Sequence, residues 1–190
     1  MKFVVNKSAL PEFYPTHRHE PKFWESLGRV VATFGFLEEV LGKAIFVITG
    51  TKQYPEEEIE AELEKWRKTL ERAVSDPLGG LINEYVKAVE TNPDATITNI
   101  EAFEKDLRNA TRLRNALCHG SWRAPNADGA SRLFYVEKKD MQRFDSAVDT
   151  QFLLETQRHA AELAAEVINT VTSMGFQFPG SEGPGQKIWN

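Results

Sequence analysis

An arginine, an asparagine and a histidine in the segment RLRNALCHGSW are the residues best suited to chemistry. Arg114, Asn115 and His119 stand there in an Arg-Asn-x-x-x-His arrangement, directly before Gly120. A histidine exchanges protons near neutral pH, and an arginine can bind a phosphate through two hydrogen bonds and stabilise charge that develops on it. RNA carries its own nucleophile, the 2′-hydroxyl, so these residue types could promote RNA cleavage without a metal ion.

The motif falls at the end of a predicted helix over residues 98–119. Thr98 and Glu101 form a capping box at its start, and Gly120 suits its C-terminal cap. On a helix with about 100° per residue, Arg114 falls on the apolar stripe, where an arginine needs an anion, a carboxylate or a partner surface. The polar side chains share an adjacent face: Arg108, Arg112, Asn115 and His119. We therefore expect Arg108 and Arg112 to support the site or bind substrate.

Glu38 lies inside the apolar stripe of the predicted first helix, over residues 21–49. It is predicted to be either a core acid that orients Arg114 or His119, or an interface acid. The alternative to a catalytic role makes Arg114 a buried ion-pair partner of Glu38, and makes His119 a helix-end cation that interacts with the helix dipole. As a core acid or as an interface acid, Glu38 is expected to lie near the motif.

Two features near the motif leave alternatives open. Arg112 also precedes His119 at a suitable spacing, so either Arg112 or Arg114 could contact a phosphate. Trp122 is predicted to be a core or interface anchor, although it is near enough to the motif to stack on a nucleotide. Cys118 is not expected to form a thiol dyad with His119, because adjacent helical residues point about 100° apart.

The segment RLRNALCHGSW resembles the signature of HEPN domains, in which an arginine followed by a polar residue precedes a histidine by a few positions. Arg114, Asn115 and His119 match that pattern residue by residue, and the resemblance covers about residues 23–174. It implies an all-helical domain. It also implies a metal-independent endoribonuclease that works as a homodimer, because in many members the motifs of two subunits meet at the interface.

The resemblance further suggests a toxin or defence effector, with an antitoxin or another regulatory partner. Other members bind nucleotides or partners without cleaving anything, so the alternative is a non-catalytic helical module that binds a nucleotide, an RNA or a protein. No cofactor and no metal is predicted. His17 and His19 lack the accompanying ligands of a metal site, and we interpret them as part of a flexible, solvated N-terminal segment.

Apolar periodicity and turn residues predict an all-α fold, a bundle of four to five helices in one domain over residues 1–178. After the first helix, a second begins near Pro55, a shorter piece covers residues 81–90, and a last helix covers residues 150–174. The only strand-like run, residues 133–136, predicts a small hairpin-like excursion after the motif helix. Residues 179–190 are rich in glycine and proline and predict a flexible tail.

The charge is unevenly distributed along the chain, although the net charge is only −5. Residues 105–123 hold five basic residues and one acid, whereas residues 56–64 hold six glutamates and no basic residue. The basic stretch is consistent with an anionic ligand such as RNA, or with a solvated face paired to acidic neighbours. A single cysteine, no apolar run of about 18 residues and no signal-like start predict a cytoplasmic protein that does not enter membranes.

Overall fold

Five α-helices make up most of the chain in the computed structural model, which describes residues 3–137 and 141–188. The helices are α1 (Pro21–Gly50), α2 (Ile59–Ser75), α3 (Leu78–Thr91), α4 (Ile100–His119) and α5 (Thr150–Ser173). Short 3-10 helices cover Lys7–Ala9 and Glu56–Glu58. The predicted all-α bundle is confirmed, with a small sheet added to it. None of the described helices is both long and apolar enough to cross a membrane.

Helix α1 is the centre of the bundle, because it packs against all four of the other helices. Its buried face recurs at three- and four-residue steps and is fully apolar over its central turns: Val30, Phe34, Leu37, Leu41, Ala44, Ile45 and Ile48. Val31 does not belong to this face, because the residue is 42% exposed. It lies about 100° round the helix from Val30 and therefore falls outside the buried face.

Helix α4, which carries the motif, and helix α5 both begin with side-chain caps. The Asn99 side chain accepts a hydrogen bond from the Ala102 amide, and Asp149 does the same for the Phe152 amide at the start of α5. The predicted capping residue, Thr98, thus lies one position before the cap that forms. Helix α5 is followed by Gly175 at φ +89°, a left-handed conformation that favours glycine.

A three-stranded antiparallel sheet connects α4 to α5. It consists of β1 (Ser121–Trp122), β2 (Ser131–Phe134) and β3 (Ala147–Val148), in the order β1-β2-β3. The β1–β2 pair is the hairpin that the sequence predicts after the motif helix, and β3 was not predicted. The sheet begins two residues after His119, so it fixes the direction in which the chain leaves α4.

The segment after α5 folds back on itself. The Gln186 amide donates to the Gly175 carbonyl at 2.8 Å, and Phe178 is buried. The flexibility of residues 179–190 stays a prediction, and Trp189 and Asn190 lie outside the described residues.

Candidate active site at the end of α4

The end of α4 is held against the sheet by a close approach at Gly120. Its amide donates to the Ala116 carbonyl at 2.8 Å and closes the last helical turn. A Cβ on Gly120 would lie 2.4 Å from Leu133 Cδ1 and 2.6 Å from the Ala116 carbonyl oxygen. At φ −74° the backbone does not need a glycine, so lack of space explains this residue. The packing therefore fixes where His119, the preceding residue, lies.

Arg114 points from α4 towards α1, where it meets Glu38. Its Nη2 lies 3.3 Å from Glu38 Oε1, and each of the two side chains is 28% exposed. Nη1 donates to the Asn115 side-chain oxygen at 3.1 Å. Glu38 Oε1 is buried and makes no well-directed hydrogen bond, so the contact is an ion pair rather than a two-point clamp. The expected proximity of Glu38 to the motif is confirmed, and part of the guanidinium keeps free donors.

The two arginines of the predicted polar face diverge from Arg114. Arg112 Nε donates to Glu137 Oε1 at 2.7 Å, so this side chain turns towards the loop after β2. Arg108 binds Glu104 and also donates to the Asn83 side chain on α3 at 2.7 Å. The two side chains thus point to different elements, α3 and the loop after β2, and whether Arg108 supports the site stays a prediction. Whether Arg112 contacts a substrate stays a prediction.

His119 is the exposed last residue of α4. Its imidazole makes no hydrogen bond to any residue in the described ranges. The Asn115 side-chain oxygen, one turn earlier in the helix, accepts from Arg114. The imidazole is therefore open to solvent and to a ligand, as a group that exchanges protons with a substrate must be.

Cys118 does not have the properties of a nucleophile. Partial burial of its sulfur raises the pKa of the thiol, although the residue as a whole is exposed. The positive charge of Arg114 acts in the opposite direction, and the carboxylate of Glu38 raises the pKa further. A raised pKa keeps the group as a thiol at neutral pH, which argues against covalent catalysis by Cys118.

Trp122 packs inward from β1 against aromatic rings near the start of α1. Its ring centroid lies 5.1 Å from that of Phe23 and 6.1 Å from that of Trp24, both in edge-to-face contact. These contacts are those of an anchor that joins the sheet to α1. Stacking of Trp122 on a nucleotide stays a prediction, which would require a part of the ring that these contacts leave open.

His19 belongs to the same aromatic cluster, which the sequence did not indicate. Its ring stacks on Phe23 with centroids 4.5 Å apart, and its Nε2 lies 2.6 Å from Ser131 Oγ. The interpretation as a solvated segment is therefore wrong for His19. Ser131 Oγ donates to the Arg123 carbonyl at 2.6 Å, so His19 Nε2 must donate to Ser131 and leave Nδ1 as the acceptor.

The surroundings of the His19 ring favour its neutral form. Its Nδ1 is buried without a hydrogen-bond partner among the described residues, and burial lowers the pKa of the imidazole.

Within the described ranges, no group of three or more histidine, cysteine or acidic side chains is placed to hold a metal ion. Comparisons of the chain with models of protein families, with curated proteins and with solved structures found no match.

Proposed function

We propose that this chain is a metal-independent endoribonuclease of the HEPN type, in which Arg114 and His119 act on an RNA phosphodiester. The observation that carries the proposal is an exposed imidazole, free of hydrogen-bond partners among the described residues, on the same helix as an arginine that keeps free donors. Glu38 and Asn115 fix the position of the Arg114 guanidinium without using all of its donors.

The proposed reaction needs one base, one acid and a group that stabilises negative charge. A histidine removes the proton of the 2′-hydroxyl, and the 2′-oxygen attacks phosphorus. The bond from phosphorus to the 5′-oxygen breaks, and a second histidine donates a proton to that oxygen. The products are a 2′,3′-cyclic phosphate and a 5′-hydroxyl end. Arg114 hydrogen-bonds to the non-bridging oxygens, which carry more negative charge in the transition state.

One copy of the chain does not supply both histidines, so a homodimer is part of the proposal. Along α4, five residues correspond to about 7.5 Å of rise and about 140° of rotation, which separates Arg114 from the His119 of the same copy. A two-fold axis near this helix would supply an arginine and a histidine from each copy. The exposed, apolar or small residues of α1 offer a surface for that contact: Gly28, Val31, Ala32, Gly35 and Phe36.

The direct test is to incubate the purified chain with end-labelled RNA in the presence of EDTA. The proposal predicts cleavage that leaves 2′,3′-cyclic phosphate ends, and light scattering that gives twice the chain mass at micromolar concentration. Cleavage that requires a divalent metal, or no cleavage at all, would contradict the catalytic part. A strict monomer that cleaves RNA would contradict the composite site.

The second candidate is a non-catalytic module that binds a nucleotide, an RNA or a protein partner at the same place. It is favoured by the Arg114–Glu38 ion pair, because the acid already compensates part of the charge that a phosphate would meet. In this case Glu38→Gln should strengthen RNA binding, and RNA should stay intact. A role as a toxin or defence effector with a regulatory partner, in the cytoplasm, belongs to the first proposal and depends on cleavage.

A further inference from the structure

The outward face of β2 carries a cation and an aromatic ring side by side. Along this strand Ser131 and Leu133 are buried, whereas Arg132 and Phe134 are exposed. The alternation follows from the two-residue repeat of a strand that packs one face on the core. Phe134 is 51% exposed, so an aromatic ring stands in solvent where a strand of this kind usually carries a polar residue.

The neighbouring strand extends this surface. Ser121 pairs with Phe134, and the Arg123 amide donates to the Arg132 carbonyl at 2.9 Å, which places Arg123 across from Arg132. The Arg123 guanidinium carbon lies 5.6 Å from the centre of the Phe134 ring. Ser121 and Arg123 are exposed, as expected for positions on either side of the inward-facing Trp122. We call Arg123, Arg132 and Phe134 together the ribbon face.

The two arginines of the ribbon face differ from those of α4 in their charge balance. Arg112 and Arg114 each contact a carboxylate. Arg123 and Arg132 make no ion pair with any residue in the described ranges. On a protein of net charge −5, two positive charges therefore stand on one exposed surface, and no described carboxylate forms an ion pair with either of them. Such a surface attracts a polyanion.

The ribbon face continues directly from the end of α4. Ser121 follows His119 by two residues, a distance of about 7 Å along an extended chain. Phe134 lies across the ladder from Ser121, about 5 Å further. A phosphate bound at His119 therefore lies within reach of Phe134 and the two arginines for the next nucleotides of the same strand.

We propose that the ribbon face binds single-stranded RNA beside the bond that is cleaved, with an unpaired base stacked on Phe134 and flanking phosphates bound by Arg123 and Arg132. The combination of an exposed ring with arginines selects this ligand, because a base offers a π-face and the backbone offers the charge. A duplex would keep its bases inside the helix, away from the ring. The inference rests on the proposed function in taking RNA as the strand.

The test measures binding separately from cleavage. The His119→Ala variant is titrated into a fluorescein-labelled single-stranded DNA of about 12 nucleotides, followed by anisotropy. This probe lacks the 2′-hydroxyl, so the proposed reaction cannot consume it. Phe134→Leu in this background should weaken binding about fivefold or more, and Phe134→Tyr should retain the affinity because the ring still stacks.

The salt dependence separates the arginines from the ring. Arg123→Gln and Arg132→Gln should each reduce the slope of log affinity against log salt by about 0.7, because each removes one phosphate contact to a single strand. Phe134→Leu should leave that slope unchanged. Arg67→Gln, at an exposed position on α2, is the matched control and should change neither affinity nor slope. Melting temperatures of all variants should stay close to that of the parent, because the altered side chains are exposed.

Four results would overturn the inference. The first is that no strand binds, and the second is that Phe134→Leu binds the strand as tightly as the parent does. The third is equal affinity for a duplex of the same sequence. The fourth is that polyglutamate displaces the labelled strand as effectively as unlabelled strand does. The last would mark the surface as one for an acidic protein. Phe134-dependent strand binding by a protein that cleaves no RNA would refute the proposed function and leave the ribbon face as a nucleic-acid site.

Discussion

The two ends of strand β2 each lie near a histidine, and the surroundings of these histidines are opposite. His119 lies two residues before Ser121, which pairs with Phe134 at the end of β2. The His119 imidazole is exposed and makes no hydrogen bond to a described residue. His19 contacts Ser131, the first residue of β2, by a hydrogen bond, and its ring lies among aromatic rings. One imidazole is accessible to a substrate, and the other lies in surroundings that favour its neutral form.

The difference shows that a histidine gains a role from its surroundings rather than from its spacing in the sequence. At the end of α4, Gly120 allows close packing on Leu133, and this contact presents His119 to solvent. At the other end, burial of His19 removes water and leaves its Nδ1 without a donor. The first environment suits proton exchange, and the second suits attachment of the N-terminal segment to the bundle.

The largest expected effect comes from replacing each of the two histidines by alanine in turn. His119→Ala should lower the RNA cleavage rate by about 100-fold or more, as loss of a general acid or base does, while the free energy of unfolding changes by less than about 0.5 kcal/mol. His19→Ala should lower the free energy of unfolding by about 1–2 kcal/mol, because a hydrogen bond and ring contacts are lost. Its cleavage rate below the melting temperature should match the wild type. Cleavage assays and urea titrations of both variants measure these effects. Lost cleavage in His19→Ala together with lost stability in His119→Ala would contradict the comparison.

Arg114 is expected to show the next largest effect. Arg114→Lys keeps the charge but loses the planar fork, so cleavage should fall by about 100-fold at nearly constant stability. Arg112→Lys is the matched control, because Arg112 lies in the same helix and contacts Glu137 instead of Glu38. Rates and melting temperatures of both variants should be measured with those of Glu38→Gln, which frees the guanidinium. Full cleavage by Arg114→Lys with loss in Arg112→Lys would move the catalytic arginine two residues upstream.

A smaller effect is expected in the pH dependence of stability. Burial lowers the pKa of His19 below its ordinary value of 6.5, so near and below this pH the unfolded chain binds more protons than the folded chain. The stabilisation from neutral His19 is therefore complete above pH 6.5. It is lost as the pH falls through the lowered pKa that His19 has in the folded chain. The melting temperature should drop more steeply between about pH 7.5 and about pH 5.5 in the wild type than in His19→Phe. His17→Phe, at an exposed position, is the control, and an equal drop in all three proteins would contradict the neutral, buried state.

The smallest expected effect is that of Cys118. Cys118→Ser should retain the full cleavage rate, because the raised pKa keeps the thiol protonated and it takes no part in the reaction. Iodoacetamide should modify the wild-type thiol more slowly than it modifies a free cysteine near pH 8, since the thiolate reacts. An inactive Cys118→Ser variant that keeps its melting temperature would contradict this assignment.

The helices were predictable because their signals are local. Periodic apolar residues and breaks at residues 75–80 and 91–94 mark α1 to α4 to within a few residues of their observed ends. Strand β3 was missed because two residues are too few to show an alternation. The burial of His19 was missed for another reason: its partner Ser131 is 112 positions away, and no pattern near His19 indicates that contact.

The candidate site was predictable only in part. The Arg114–Glu38 contact followed from an arginine and an acid that both fall on apolar stripes. The side chains of Arg108 and Arg112 do not converge, because each turns to an acid or amide on a different element. Helical spacing gives the direction of a Cα–Cβ bond, whereas a long side chain selects its partner from the neighbouring elements.

The most direct test of the central claim compares two substrates and two proteins in EDTA. Wild-type protein and His119→Ala are incubated with the same RNA sequence in its natural form and with every 2′-hydroxyl methylated. The account predicts cleavage only of natural RNA by the wild type, with 2′,3′-cyclic phosphate ends. Cleavage of the methylated strand would show that the 2′-hydroxyl is not the nucleophile, and equal cleavage of natural RNA by His119→Ala would show that His119 does not carry the reaction.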